Sequence, residues 1–204
     1  MTSSSRQLSR SIAMEEGEDV SVIIKTTLGN VEVMLYPWRA PKSVSCFLAH
    51  VDGKYYQNAS FYRSTGGGED VYSIVQGGIF PRLLAGVPVE QWADIAPPLS
   101  PVEHETTFET GLDNECGVVA LARLQPGTAG SEFFINMADN KVLNTGADCS
   151  GRDGYGYATF GRVVRGLDVL RAIQRLERQG MPAIGALDGQ VLSAPVQILS
   201  IDRM

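Results

Sequence analysis

Few groups of residues in this chain have the types and spacing that bond-making chemistry needs. Gly130-Ser131-Glu132 sets a serine after a glycine, but the second glycine of a strained nucleophile turn is missing. Glu103-His104-Glu105 could bind a metal in principle, yet alternate residues of a strand point to opposite faces, so the three would not converge. His50 and His104 lie far apart, and His50 falls on a predicted helix. Gly66-Gly67-Gly68 has the look of a phosphate loop. No Gly-x-x-x-x-Gly-Lys or Gly-x-Gly-x-x-Gly follows it, and Glu69-Asp70 would repel an anion. The acidic residues are scattered, with no paired-carboxylate spacing. Cys46, Cys116 and Cys149 are an odd, sparse set without Cys-x-x-Cys spacing, so they form neither a zinc site nor a disulfide framework. They read as unpaired thiols of a reducing compartment, although sequence alone leaves a bridge between two of them open.

The elements that must position a site are short strands and turns. A length of 204 residues fits one domain, and 44% hydrophobic residues suffice for a substantial core. Glycines (22) and prolines (10) are spread along the chain, which suggests tight turns between strands. A net charge of −6, with no Lys/Arg run, argues against a nucleic-acid partner. No apolar stretch approaches the roughly 20 residues that span a bilayer, so no membrane association is expected. Met1–Asp19 is Ser-rich and polar, without a signal-peptide core. The expectation is a flexible tail over 1–19, one domain over 20–204, and a cytoplasmic protein.

Val20–Thr27 and Asn30–Tyr36 form a predicted hairpin around Leu28-Gly29-Asn30, with Val31, Val33 and Leu35 on the buried face. Pro41 suits the first turn of a helix whose Val44, Phe47, Leu48 and Val51 share one apolar face, and Gly53 stops it. Further strands are expected at Ser60–Ser64, Val71–Gln76, Gly117–Leu124, Glu132–Met137, Tyr157–Val164 and Val196–Asp202. A second helix runs from Leu167 to about Arg178, with Leu167, Leu170, Ile173 and Leu176 as a core stripe and Gly180 ending it. Pro81–Pro101 and Thr145–Gly154 read as long loops, of the kind that are functional or mobile. Some eight strands and two helices fit an antiparallel barrel or sandwich.

Five segments recur in a recognisable order: Phe61-Tyr62-Arg63, Gln76-Gly77-Gly78, Gly117 to Arg123, Gly130-Ser131-Glu132-Phe133-Phe134-Ile135-Asn136 and Tyr157-Ala158-Thr159-Phe160-Gly161, with Asp139 to Leu143 between the last two. Over about residues 20–203 the chain resembles the cyclophilin family of peptidyl-prolyl cis/trans isomerases, as a divergent, bacterial-like member. The resemblance implies a mainly β fold, a closed eight-stranded antiparallel barrel capped by two α-helices. It also implies an activity, rotation about X-Pro bonds in flexible or unfolded proline-containing segments. That reaction makes and breaks no bond, so no metal or cofactor is expected.

By the same resemblance, Arg63 and Gln76 take catalytic roles, Arg63 polarising the amide nitrogen and Gln76 orienting the substrate backbone. Ile74, Phe134, Leu143 and Tyr157 would form the proline pocket, and Ala122 with the backbone of Arg123 the strand edge along which the peptide lies. Phe133, one residue from Phe134, should face the barrel core by strand alternation. The departures from the family pattern are local. Twelve residues separate Arg63 from Gln76, where about seven are usual, so Ser64 to Asp70 form an added acidic loop. Ser73 stands where the family has a pocket phenylalanine, which should weaken proline binding. Glu132 replaces a common glutamine and brings a charge near the site. Val142 occupies a position where some members have tryptophan, so weak cyclosporin binding is expected. A monomer is expected. The second functional reading is a non-catalytic proline-peptide binding or chaperone module on the same barrel.

Overall fold

The computed structural model describes residues 17–67, 70–88, 90–91, 95–147, 153–179 and 187–204. Its strands are β1 (Val20–Thr26), β2 (Gly29–Leu35), β3 (Ala59–Ser64), β4 (Ile74–Gly78), β5 (Val118–Leu121), β6 (Phe133–Asn136), β7 (Thr159–Arg165), β8 (Arg178–Gln179) and β9 (Val191–Arg203). Helices are α1 (Pro41–Asp52), α2 (Phe80–Leu84), α3 (Thr107–Thr110) and α4 (Leu167–Gln174). The strands pair in the order β1-β2-β7-β5-β6-β4-β3-β9, and β1 closes on β9. Eight antiparallel strands therefore form the expected closed barrel. The short β8 lies outside it, on the far edge of β9.

The β1–β2 hairpin turns tightly because Thr26 Oγ1 donates to the Gly29 carbonyl and accepts the Leu28 N–H. Gly29, at φ +136°, begins β2 in a conformation that side chains avoid. A Cβ there would also sit 2.9 Å from Val169 of α4, so the glycine lets that helix close one end of the barrel. Helix α1 packs by its predicted face, with Val44, Phe47, Leu48 and Val51 all buried. It has no cap of its own. Glu105, distant in sequence, accepts the N–H groups of Lys42 and Ser43 and the Ser43 hydroxyl, at 3.1, 2.7 and 2.6 Å.

Three expectations change. The second helix ends at Gln174, not near Arg178, because Arg178 and Gln179 leave the helix to pair with β9. Edge pairing wins over the helical propensity of that stretch; the expected stop at Gly180 falls outside the described residues. The region Pro81–Pro101 is not all loop: Pro81 sits in the first turn of α2, where its missing N–H is harmless. Strand β9 starts five residues earlier than expected, running through Pro195. The register of β9 on β3 jumps there, from Phe61↔Val196 to Arg63↔Val191, so the proline occupies an irregular stretch that asks no ladder bond of it. Of the predicted flexible tail, residues 1–16 lie outside the described residues, while Asp19 accepts the Trp38 indole N–H at 2.9 Å.

The interior holds one large apolar cluster that includes Phe47, Tyr56, Phe61, Phe133 and Phe160. A second, smaller cluster is separate from it: Ile74, Ala120, Phe134 and Leu143, with Tyr72, Ala122, Val142 and Tyr157 against them. No helix among the described residues is long and apolar enough to cross a membrane.

Candidate active site

The second cluster floors an open cleft of about 540 Å³. Strand alternation builds it. Phe133 is wholly buried against Phe47, Tyr56 and Phe61, with ring centroids 5.4–5.8 Å apart, whereas Phe134 faces the cleft and meets Tyr157 edge-on at 5.3 Å. Ile74 comes from the start of β4, and Leu143 from a 3-10 turn at Lys141–Leu143. All eight residues singled out from the sequence (Arg63, Ile74, Gln76, Ala122, Arg123, Phe134, Leu143 and Tyr157) line this one cleft.

A bulge in β3 aims the polar residues. Phe61 pairs with Gly77 and Arg63 with Gln76, so Tyr62 is one residue too many for β4; against β9 the register also breaks between Phe61 and Arg63, but there the extra residues lie on β9. Without the bulge, strict alternation would turn Phe61 and Arg63 to one side; with it, Phe61 stays in the barrel core while Tyr62 and Arg63 both reach the cleft. Gly77 is required opposite, since a Cβ there would lie 2.7 Å from the Phe61 ring.

Arg63 is held on three sides. Its Nε and Nη2 donate to Gln190 Oε1 at 2.9 and 2.6 Å, Nη2 donates to the Tyr72 hydroxyl at 2.7 Å, and Nη1 donates to Gln76 Oε1 at 2.7 Å. An arginine carries five N–H donors. Among the described residues those contacts use four and leave one on Nη1. Gln76 Nε2 in turn donates to Tyr62 Oη at 2.6 Å, and the Tyr62 hydroxyl donates to Glu132 Oε2 at 2.8 Å. Glu132 Oε1 accepts the N–H groups of Ile79 and Phe80, at 2.8 and 3.0 Å, and the Ser131 hydroxyl at 3.2 Å. Burial pushes the Glu132 carboxyl up to about 7, against the opposing pull of those hydrogen bonds. Burial and the neighbouring Glu132 charge likewise hold the Tyr62 phenol well above its usual range.

Two of the Arg63 partners are absent from the sequence reading. Tyr72 lies two residues past the added segment and stands in the cleft; Ser73 turns away from it, its Oγ accepting from Gln174 at 2.7 Å. The aromatic wall expected to be lost with Ser73 is thus supplied one residue earlier. The added segment is also tied down. Asp70 accepts the Gly66 N–H at 2.8 Å and Arg178 Nη1 at 2.9 Å, and Thr65 bonds both the Tyr72 carbonyl and the Ile74 N–H. Residues 68–69 of that segment lie outside the described residues. An aromatic just past the insertion was a readable signal for Tyr72. Gln190 had none, being 127 residues from Arg63 in a turn before β9.

Ala122 and Arg123 lie just past β5, and the Ala122 N–H already donates to the Glu132 carbonyl. Arg123, expected to act through its backbone, has a buried side chain with a structural task. It forms a two-point pair with Asp153, donates to the Gly156 carbonyl and lies 5.0 Å over the Tyr157 ring. Arg123 holds the Asp153 carboxyl down to about 2. It thereby fixes the end of the 145–154 loop and the ring beside Phe134; residues 148–152 of that loop, with Cys149, lie outside the described residues. Cys46 and Cys116 are free thiols. Glu103, His104 and Glu105 point to Lys42, Tyr155 and α1 respectively, so they do not converge.

The cyclophilin-type peptidyl-prolyl cis-trans isomerase family profile matches residues 21–202. A peptidyl-prolyl cis-trans isomerase of Acinetobacter baylyi is 33% identical over 181 residues, 88% of this chain and 83% of that protein. Peptidyl-prolyl cis-trans isomerase B of Escherichia coli is 31% identical over 163 residues, 78% of this chain and 88% of that one. A Cryptosporidium parvum cyclophilin-type isomerase crystallised in the presence of the dipeptide Ala-Pro superposes with a TM-score of 0.64 at 21% identity, over 90% of this chain and 98% of that one. The barrel, the cleft on its outer wall and a match spanning nearly the whole described domain agree: this chain belongs to the cyclophilin-type peptidyl-prolyl cis-trans isomerase family.

Proposed function

We propose that the chain accelerates cis/trans rotation about X-Pro bonds of flexible polypeptide segments at the cleft between Arg63 and Phe134. The observation that carries this reading is the arginine itself, clamped by Gln76, Tyr72 and Gln190 beside an apolar floor, with one Nη1 donor left over.

Resonance sets a barrier near 18–20 kcal/mol for the X-Pro amide. In the twisted transition state the nitrogen becomes pyramidal and regains a lone pair, which a cationic donor stabilises. The remaining Arg63 N–H is the donor, and Gln76 holds the guanidinium while facing the substrate backbone. Ile74, Phe134, Leu143 and Tyr157 receive the proline ring, with Tyr72 closing the side where Ser73 offers nothing. A charge-assisted hydrogen bond contributes roughly 1.5–3 kcal/mol. A 10⁵-fold acceleration needs about 7, so the apolar floor must bind the twisted form best and supply the rest.

The test is exchange spectroscopy by NMR on short X-Pro peptides, comparing wild type with Arg63→Ala. Acceleration that is lost in the variant is expected. Absence of acceleration by wild type, across several residues before proline, would overturn the enzyme reading in favour of a proline-peptide binding module. Weak cyclosporin affinity follows from Val142 in place of an aromatic at the cleft rim, and calorimetric titration with cyclosporin checks it. A monomer and a cytoplasmic location complete the reading; sedimentation and cell fractionation test them.

A further inference from the structure

Glu132 lies at the far end of the hydrogen-bond chain that begins at Arg63, and each link in that chain has a direction. Ile79 and Phe80 present N–H groups to Glu132 Oε1, so that oxygen only accepts. A carboxylate Oε2 also only accepts, which obliges the Tyr62 hydroxyl to donate to it. The Tyr62 oxygen is then left to accept, and Gln76 answers with Nε2. That choice turns Gln76 Oε1 toward Arg63 Nη1, the one orientation of the amide that can hold a guanidinium. We propose that Glu132 is a positioning residue for the isomerisation: as a carboxylate it sets the direction of a hydrogen-bond chain, through Tyr62 and Gln76, that holds Arg63 against the substrate amide, and its protonation reverses that chain. This rests on the assignment of Arg63 above.

The reversal follows from counting donors. A proton on Oε2 makes Glu132 the donor to Tyr62, so the Tyr62 hydroxyl must donate onward to Gln76. The Gln76 amide flips to accept it and presents its NH₂ to Arg63. Two donors then face each other and the clamp on Nη1 is lost. Glutamine at 132 has one acceptor oxygen, which can serve the Ile79 and Phe80 N–H groups or Tyr62, but not both. It fails in the same way when that oxygen stays with Ile79 and Phe80, because its NH₂ then donates to Tyr62.

The site is built around the carboxylate. A Cβ at Gly78 would lie 2.3 Å from Glu132 Oε1, so only glycine leaves room for it. Among the described residues the groups around it are Tyr62 from β3, with Arg63 reached through Gln76, the Ser131 hydroxyl beside it, the amides that open α2, and Tyr56, whose hydroxyl donates to the Ser131 carbonyl at 3.0 Å. Cys46 of α1 stands behind, against the Gly130 carbonyl. Both tyrosines hold their protons far above neutral pH, so Glu132 is the group that titrates across the working range.

The experiment measures kcat/KM on a blocked, uncharged Ala-Pro peptide from pH 5.5 to 8.5 for wild type, Glu132→Gln, Tyr62→Phe and the double variant. Wild-type rates should rise through a midpoint near 7, the value for the carboxyl. Each single variant should be about tenfold slower at pH 8 and flat with pH, a lost charge-directed hydrogen bond being the cause. The double variant should be no slower than the singles, since both break one chain. Wild-type rate and pH profile retained in folded Glu132→Gln, or multiplicative losses in the double variant, overturn the proposal. Should the variants not fold, the Arg63 Nε resonance in wild type must shift with the same midpoint; a resonance that ignores pH between 5.5 and 8.5 overturns it equally. No turnover by wild type would instead sink the isomerase reading, whereas turnover lost in Arg63→Ala but untouched in Glu132→Gln sinks only this inference.

Discussion

Phe133 and Phe134 are neighbours on one short strand, equally apolar and almost equally hidden, yet they belong to different parts of the molecule. The Phe133 ring is locked by three other aromatic rings inside the barrel. Phe134 is buried by a thinner layer that opens to a cleft, with Tyr157 as its one ring contact among the described residues. One apolar cluster holds the wall in shape; the other floors an open cleft, where the proposed function puts the substrate's proline ring. What separates them is strand alternation and not residue type, so burial alone does not tell a stabilising aromatic from a binding one.

That contrast can be broken most sharply by truncation. Phe133→Ala is expected to lower stability by about 3–5 kcal/mol in urea unfolding, as large core truncations do. Phe134→Ala should lose less than half as much stability, but about 100-fold in kcat/KM, since a ring floor worth some 2–3 kcal/mol disappears from the transition-state complex. Equal stability losses in the two variants would collapse the distinction.

Glu132 sharpens the comparison through pH. Its carboxyl titrates near 7 in the folded protein and at 4.5 ordinarily, so the folded state binds that proton more tightly than the unfolded state. The favourable contribution is complete below about 4.5, is lost as pH rises through 7, and is level beyond it. Thermal scans at pH 5 and pH 8 should show wild type losing stability relative to Glu132→Gln over that interval. A constant gap would mean that burial does not disfavour the carboxylate. Tyr72→Phe keeps the aromatic wall and removes one acceptor from Arg63; about fivefold lower kcat/KM, with cleft binding of peptide preserved, is the expected outcome. Arg178→Met, which unties Asp70 and the added segment at a half-exposed ion pair, should cost the least, about twofold in rate.

The regular part of the fold was legible because its signals are local. Val31, Val33 and Leu35 alternate, Val44 to Val51 repeat at helical spacing, and Pro41 and Gly53 mark the ends of α1; each lies where the pattern puts it. The resemblance placed eight residues that the fold brings to one cleft. Other features had no local signature. Gln190 reaches Arg63 only because β9 pairs with β3, and Glu105 caps α1 across a gap of 62 residues. Tyr72 was hidden by counting back from Gln76 through an insertion, which makes Ser73 the nominal equivalent although the bulkier side chain is the one that faces the cleft. Pro195 masked the first five residues of β9, since proline ordinarily argues against a strand interior and a register slip is invisible in sequence.

Barrel closure has a bearing on how the chain acquires activity during synthesis. The seam is β1 against β9, exemplified by Lys25 and Asp202, 177 residues apart and joined at 3.2 Å. Contacts of such long range form late and slowly. The nascent chain, emerging at about 5–20 residues per second, must wait with the outer edge of β1 unpaired until β9 leaves the ribosome, although β2 can pair with β7 sooner. Gln190 arrives at the head of that same strand, so the clamp on Arg63 is completed in the step that seals the seam. A newly made chain is then idle until β9 is in place, and a stalled or clipped one that lacks β9 has neither a closed wall nor a steadied arginine.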